Sequence, residues 1–295
     1  MRRTAFLSGS IAALAMAGGS LPAAAEDAAA QLAQVERGTG GRLGVLAVDT
    51  GTTKRIAYRA GERFPMCSTF KFLLVGAVLT RVDNGQEQLD HRLWYGKNDV
   101  LDYAPVAKLH VRDGMTVREL CEAAIELSDN TAANVLLKSI GGPRALTAYV
   151  RTLGDRYTRL DRTEPALNSG IPGDVRDTTT PAAMAGDMQR ILTGNALAPS
   201  SRGTLQAWMS QTKTGLNLLR AGFPSSWQAA DKTGLGGQHN GTGDSDTRND
   251  IAIAWAPGRS PVIACAYLTQ SKVNAAQRDG ALASVGKIVA SAFAS

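Results

Sequence analysis

Several things are scarce in this 295-residue sequence. It has three histidines, three cysteines, 5% aromatic residues and no long block of charge of one sign. His91, His110 and His239 stand at no metal-ligand spacing from one another or from a cysteine, so no zinc site is expected, and the metal and cofactor expectation is none. Cys67, Cys121 and Cys265 lie far apart and are odd in number, which excludes a disulfide framework and leaves at least one free thiol or an intermolecular bond. Small apolar core residues are the preferred reading, with a thiol role for Cys67 kept open because of its neighbour. With few aromatics and with lysines and arginines scattered among acids, no nucleic-acid groove is expected. Nor does any apolar run reach bilayer-spanning length: the longest near the start, Ile11 to Ala17, is too short.

What is present is a chain that is 44% hydrophobic and 20% charged, long enough to bury a large core. Residues 1–25 read as an export signal: Arg2 and Arg3, the apolar run, then Ala23-Ala24-Ala25 as a small-residue cleavage site. Arg2-Arg3 with Phe6-Leu7 leaves twin-arginine export open beside the ordinary route. Loss of that segment, which holds two arginines and no acid, lowers the formal net charge of +6 by two. A soluble monomer in the periplasm or outside the cell, without a membrane anchor, is the expectation.

Along the mature chain, Arg42 to Asp49 and Lys54 to Ala60 flank Thr50-Gly51-Thr52-Thr53 and predict a β-hairpin, so strands should come first. Phe70 to Leu79 is apolar all round a helical wheel and predicts a buried helix ended by Asn84-Gly85. Thr116 with Glu119 forms a capping box for a helix to about Leu127, and another helix follows over Thr131 to Ser139, broken by Gly141-Gly142. Pro143 and Pro181 take first helical positions. Asp155 to Thr180 has no periodicity and predicts a long loop. Strands return at Ser226 to Asp231, Asp250 to Ala256 and Pro261 to Thr269, and a helix runs from about Ala275 to the end. The fold class is α+β: an antiparallel sheet built from both chain ends (26–60 and 212–295), flanked by helices, with a helical lobe (61–211) inserted between them.

Ser68-Thr69-Phe70-Lys71 puts an amine three residues from a hydroxyl at a helix start, a nucleophile beside a base. The helix N-terminus adds backbone N–H groups suited to developing negative charge. Alone this is weak, since such a match arises about once by chance in a chain this long. Ser210 to Lys213 is a second instance, and a helix cap beside a surface lysine is the plainer reading. The company it keeps is stronger. Ser128-Asp129-Asn130 follows the capping-box helix, and Lys232-Thr233-Gly234 follows a strand. Lys213-Thr214-Gly215 repeats the last triplet, but after a helical stretch. In this order the three motifs are an assigned signature of class A β-lactamases and penicillin-binding proteins.

Glu164-Pro165-Ala166-Leu167-Asn168 in the long loop resembles the omega-loop motif of class A β-lactamases, and the chain is similar to that family over its whole mature length. The resemblance implies hydrolysis of β-lactam amides through an acyl-enzyme on Ser68. Lys71, or Glu164 through water, would take its proton, and Ser128 would relay a proton to the leaving nitrogen. Glu164 with Asn168 would hold the deacylating water. Asn130 would bind the substrate side-chain amide, and Lys232 and Thr233, before Gly234, would bind its carboxylate. Backbone N–H groups of Ser68 and Leu235 would form the oxyanion hole, and Tyr103 would wall the entrance. The resemblance further implies an Arg162–Asp177 ion pair and a cis Glu164–Pro165 bond. Two departures stand out. Leu235 replaces a small or hydroxylated residue, and Gly236 to Thr247 is a longer segment before Arg248, which aligns with the family's carboxylate-binding arginine. No cysteine there can pair with Cys67. A D,D-peptidase and a penicillin-binding sensor share part of the motif set; Glu164 favours the hydrolase over both.

Overall fold

The structure is a computed structural model that describes residues 23–52, 54–239 and 244–294. Most of the expected export segment therefore lies outside the described residues. A helix comes first, not a strand: α1 spans Ala23–Thr39. The alanine run that reads as a cleavage site has high helix propensity, and the helix is anchored where Ala28 and Leu32 are buried. Then β1 (Arg42–Asp49) pairs antiparallel with β2 (Arg55–Tyr58), narrower than the expected second strand, in a register that sets Val45 opposite Tyr58. The turn is held by Asp49 Oδ1, which accepts from Gly51 N at 2.8 Å and Thr52 N at 3.0 Å.

A two-residue strand β3 (Phe64–Pro65) leads into a 3-10 turn, Cys67–Thr69, and then α2 (Phe70–Asp83). Phe70 to Leu79 are all buried, as an all-round apolar helix requires. Next, β4 (Arg92–Leu93) pairs with β5 (Met115–Thr116). The capping box forms as read: Thr116 accepts from Glu119 N and Glu119 Oε2 accepts from Thr116 N, opening α3 (Val117–Glu126). Asp129 caps α4 (Asn130–Ser139) by accepting from Ala132 N at 2.9 Å. Pro143 and Pro181 open α5 (Pro143–Thr152) and α6 (Pro181–Leu192). Between these two helices runs the long loop, closed by β6 (Thr178–Thr179) pairing with β3. After α7 (Pro199–Ser210) and the short α8 (Leu219–Gly222) come β7 (Gln228–His239), β8 (Ser245–Trp255), β9 (Val262–Thr269) and α9 (Ala275–Ala294).

The main sheet has the order β2-β1-β9-β8-β7, antiparallel throughout. Strand β9 is buried at all eight positions because both its faces are covered. Ile263, Cys265 and Tyr267 face the core around α2, and Val262, Ala264, Ala266 and Leu268 face the core that holds α1 and α9. Each fully buried Leu or Ile in these layers contributes about 1.5–3 kcal/mol.

The segment from Gly236 onward departs from expectation. Much of this longer segment is strand: β7 continues to His239 and β8 begins at Ser245, with Gly236 opposite Thr247 and a bulge between Gly236 and His239. Glycines lower strand propensity, so sequence pattern misses them. Here Gly236 is needed for close approach, since a Cβ there would sit 2.7 Å from Asn168 O and 2.8 Å from Cys67 Sγ.

Candidate active site

Three elements meet at one cleft. Strand β7 is the sheet's edge, so its outer backbone groups have no strand partner, and that edge packs on the Cys67–Thr69 turn. Asn249 on β8 anchors the turn by donating to Pro65 O at 2.9 Å and Met66 O at 3.1 Å. Met66 N donates to Asp177 O at 2.9 Å, which ties the turn to the end of the long loop as well. Cys67 (φ 46°) and Ser128 (φ 57°) hold the left-handed conformation that non-glycine residues seldom adopt. Strain of this kind persists only where the surroundings enforce it.

Ser68 Oγ donates to Glu164 Oε1 at 3.4 Å, and Lys71 Nζ reaches the same oxygen at 3.1 Å. The Lys71 amine also donates to Ser128 O at 2.7 Å, Ser128 Oγ at 3.3 Å and Asn130 Oδ1 at 2.6 Å. Lys232 Nζ approaches Ser128 Oγ from the other side at 3.0 Å and also donates to Thr233 O at 2.9 Å. Ser128 thus lies between two fully buried lysines. Burial lowers the Lys71 pKa, opposed by the Glu164 carboxylate. Burial, then the neighbouring Lys71 charge, pushes Lys232 down to about 7. Lys232 stands in mid-strand rather than just past a strand end, so β8 holds its backbone on one side along its length.

Glu164 is buried in the long loop, where Asn168 Nδ2 donates to its Oε2 at 2.5 Å. The loop itself is closed by Asp177. Its Oδ1 accepts from Asp161 N at 2.7 Å and Arg162 N at 2.9 Å, and its Oδ2 meets Arg162 Nε at 2.5 Å. The Glu164–Pro165 bond is cis. Asn134 was not singled out in the sequence, yet its amide clamps the Glu164 backbone: Oδ1 accepts from Glu164 N at 3.0 Å and Nδ2 donates to Glu164 O at 2.9 Å. The signal existed, because Asn134 lies four residues after Asn130 on one helix face.

At the other end of the cleft Thr233 Oγ1 shares a hydrogen bond with Thr214 Oγ1 at 2.8 Å, so the repeat Lys213-Thr214-Gly215 backs the strand triplet instead of replacing it. The repeated triplet was the sequence signal for Thr214. Gly234 packs under Met66 O, where a Cβ would come within 2.9 Å. Leu235 is exposed and pairs across the strands with Arg248, whose Nε is ion-paired to Asp279 Oδ1 at 2.8 Å. Tyr103 is half-exposed at the rim, and its carbonyl accepts from Asn130 N at 3.0 Å. Cys67, Cys121 and Cys265 are all buried and free, and burial first of all raises their thiol pKa values. Among the described residues no group of three or more His, Cys, Asp or Glu is placed to hold a metal ion.

Residues 27–293 match the family model described as the β-lactamase enzyme family. The chain belongs to the class A serine β-lactamases. It is 42% identical over 288 residues to β-lactamase OXY-1 of Klebsiella oxytoca, covering 98% of this chain and 97% of that protein. It is 44% identical over 274 residues to β-lactamase Toho-1 of Escherichia coli, covering 93% and 92%. Among solved structures, an ancestral class A β-lactamase is similar at 58% identity with a TM-score of 0.86, over 90% of this chain and all of that one. A last-common-ancestor class A β-lactamase of Gram-negative bacteria is 55% identical at the same TM-score, over 90% and 99%. Class A membership fits the antiparallel sheet with its inserted helices, and no described helix is long and apolar enough to cross a membrane.

Proposed function

We propose that this class A β-lactamase works through a Ser68 acyl-enzyme, with Glu164 as the base in both halves of the cycle. The observation that carries this reading is the single oxygen, Glu164 Oε1, within reach of both Ser68 Oγ and Lys71 Nζ. Lys71 is surrounded by acceptors on Ser128, Asn130 and Glu164, the setting of a proton donor, which leaves the Glu164 carboxylate as the acceptor for the serine proton.

Ser68 Oγ attacks the lactam carbonyl as its proton passes to Glu164, and the C–O bond forms while the carbonyl becomes an oxyanion. Backbone N–H groups of Ser68 and Leu235 hold that charge, each worth about 2.7–4 kcal/mol of barrier. Collapse breaks the C–N bond. Ser128 gives its proton to the departing nitrogen and is reprotonated by Lys71, which then recovers the proton held on Glu164. Glu164, with Asn168, takes a proton from water as the water attacks the ester, and Ser68 leaves protonated. Lys232, Thr233 and Arg248 bind the substrate carboxylate, Asn130 its side-chain amide, and Tyr103 walls the entrance, with Gly234 letting the strand approach.

Export by residues 1–25, action as a monomer and a role in antibiotic resistance complete the reading. Supporting it are the leader's composition and the relatives' names as β-lactamases. Sustained hydrolysis of a chromogenic cephalosporin by the full chain, lost roughly 10⁴-fold or more in Ser68→Ala, is the expected result. A single stoichiometric burst without turnover would assign the chain to a penicillin-binding sensor or peptidase instead.

A further inference from the structure

Beside the cleft, and separated from it by the Asn134 amide, lies a cavity of about 530 Å³, within the range of small-ligand pockets. Its walls include Trp94, Asp99, Leu101, Leu137 and Thr163. Trp94 is 69% exposed, an indole left against solvent beside an apolar wall. Asp99 Oδ2 is occupied by Gly96 N at 2.7 Å, while its Oδ1 makes no hydrogen bond among the described residues. Leu137 and Gly142 bring the C-terminal end of α4 to the same wall, where Gly142 N donates to Leu137 O at 2.8 Å and Gly141 N to Lys138 O at 3.1 Å, so the last carbonyls are already taken. One cation, Lys138, also lines the cavity, in that last helical turn. The aromatic face and the free carboxylate oxygen together favour a flat ring that carries an ammonium group.

We infer that this cavity binds small aromatic amines and that an occupant disturbs the general base through Asn134 and Thr163. The first part stands on the cavity alone; the second rests on the reading of Glu164 as base. Asn134 holds both the N–H and the C=O of Glu164, and Thr163 precedes it in the chain. A ring that packs better against a shifted Asn134 moves the carboxylate by that difference in affinity. Displacement of a base by about 1 Å suffices to lower turnover about 100-fold.

The test is calorimetric titration of the full chain with tryptamine and, in parallel, with indole-3-acetate. Tryptamine is expected to bind at one site, about tenfold or more tighter than the acetate. Trp94→Ala should weaken it by a similar factor and leave turnover without ligand unchanged. Saturating tryptamine should lower kcat on a chromogenic cephalosporin in the native chain and leave Trp94→Ala unaffected. No binding, or undiminished binding to Trp94→Ala, overturns the site. Equal binding of the acetate overturns the ligand class, and binding with unchanged kcat overturns the coupling. The titration needs no β-lactam hydrolysis, so failure of the catalytic reading would show separately in the absence of turnover.

Discussion

Strand β7 and the loop between residues 155 and 180 each bring a charged side chain to the cleft, and they hold it by opposite means. Lys232 rides on a strand paired with β8 from Gln228 to His239, so many equivalent backbone bonds share the task. Glu164 sits in a loop whose conformation depends on a few side chains, chiefly Asp177, Arg162 and Asn134. A repeated ladder tolerates the loss of one contact. A loop held by single contacts does not, because each lost partner leaves a buried polar group unsatisfied, at a cost of about 1–3 kcal/mol.

The sharpest way to break this contrast is Asn134→Ala, which frees both backbone groups of Glu164. Turnover is expected to fall about 100-fold, with acylation and deacylation both slowed, because the displaced carboxylate serves both steps. Stopped-flow rates on a penicillin measure this, and an unchanged kcat would mean the loop needs no clamp. A smaller effect is expected on the strand side and comes from charge. Lys232 is a base whose pKa is pushed down to about 7, by burial and then by Lys71, so it is cationic below that pH and loses its proton above it. The kcat/KM for a carboxylate-bearing penicillin should therefore fall by up to about tenfold per pH unit above about pH 7, since that ratio reports the free enzyme. Lys232→Arg, with a fixed charge, should shift or remove this limb. A flat profile in the native chain would show that Lys232 stays charged throughout.

The same contrast governs what could be read in advance. Strand β9 and helix α2 are legible because burial on all sides leaves uninterrupted apolar runs. Ser68, Lys71, Ser128, Glu164 and Lys232 are legible as short motifs in a known order, and the fold places them around one cleft. Helix α1 escaped notice because an alanine run satisfies both a cleavage site and a helix. The glycines at 236 and 237 hid the extension of β7, for their place in the strand is fixed by close approach, of Gly236 to Cys67 and Asn168 and of Gly237 to Asp246 and Thr247, and not by propensity. Asn134 and Thr214 carried local hints, a helix face shared with Asn130 and a repeated triplet, but their partners lie 30 and 19 residues away and only folding joins them.

The account depends most on Glu164 freeing Ser68 from its acyl group. Glu164→Asn should be mixed with a penicillin and followed by intact-mass and peptide mass analysis. The expected result is an adduct of one whole penicillin on the peptide containing Ser68, formed more slowly than in the native chain because the serine proton loses its acceptor, and persisting because deacylation has slowed by roughly 10² to 10⁴. Turnover at the native rate, or an adduct on any other residue, would contradict it.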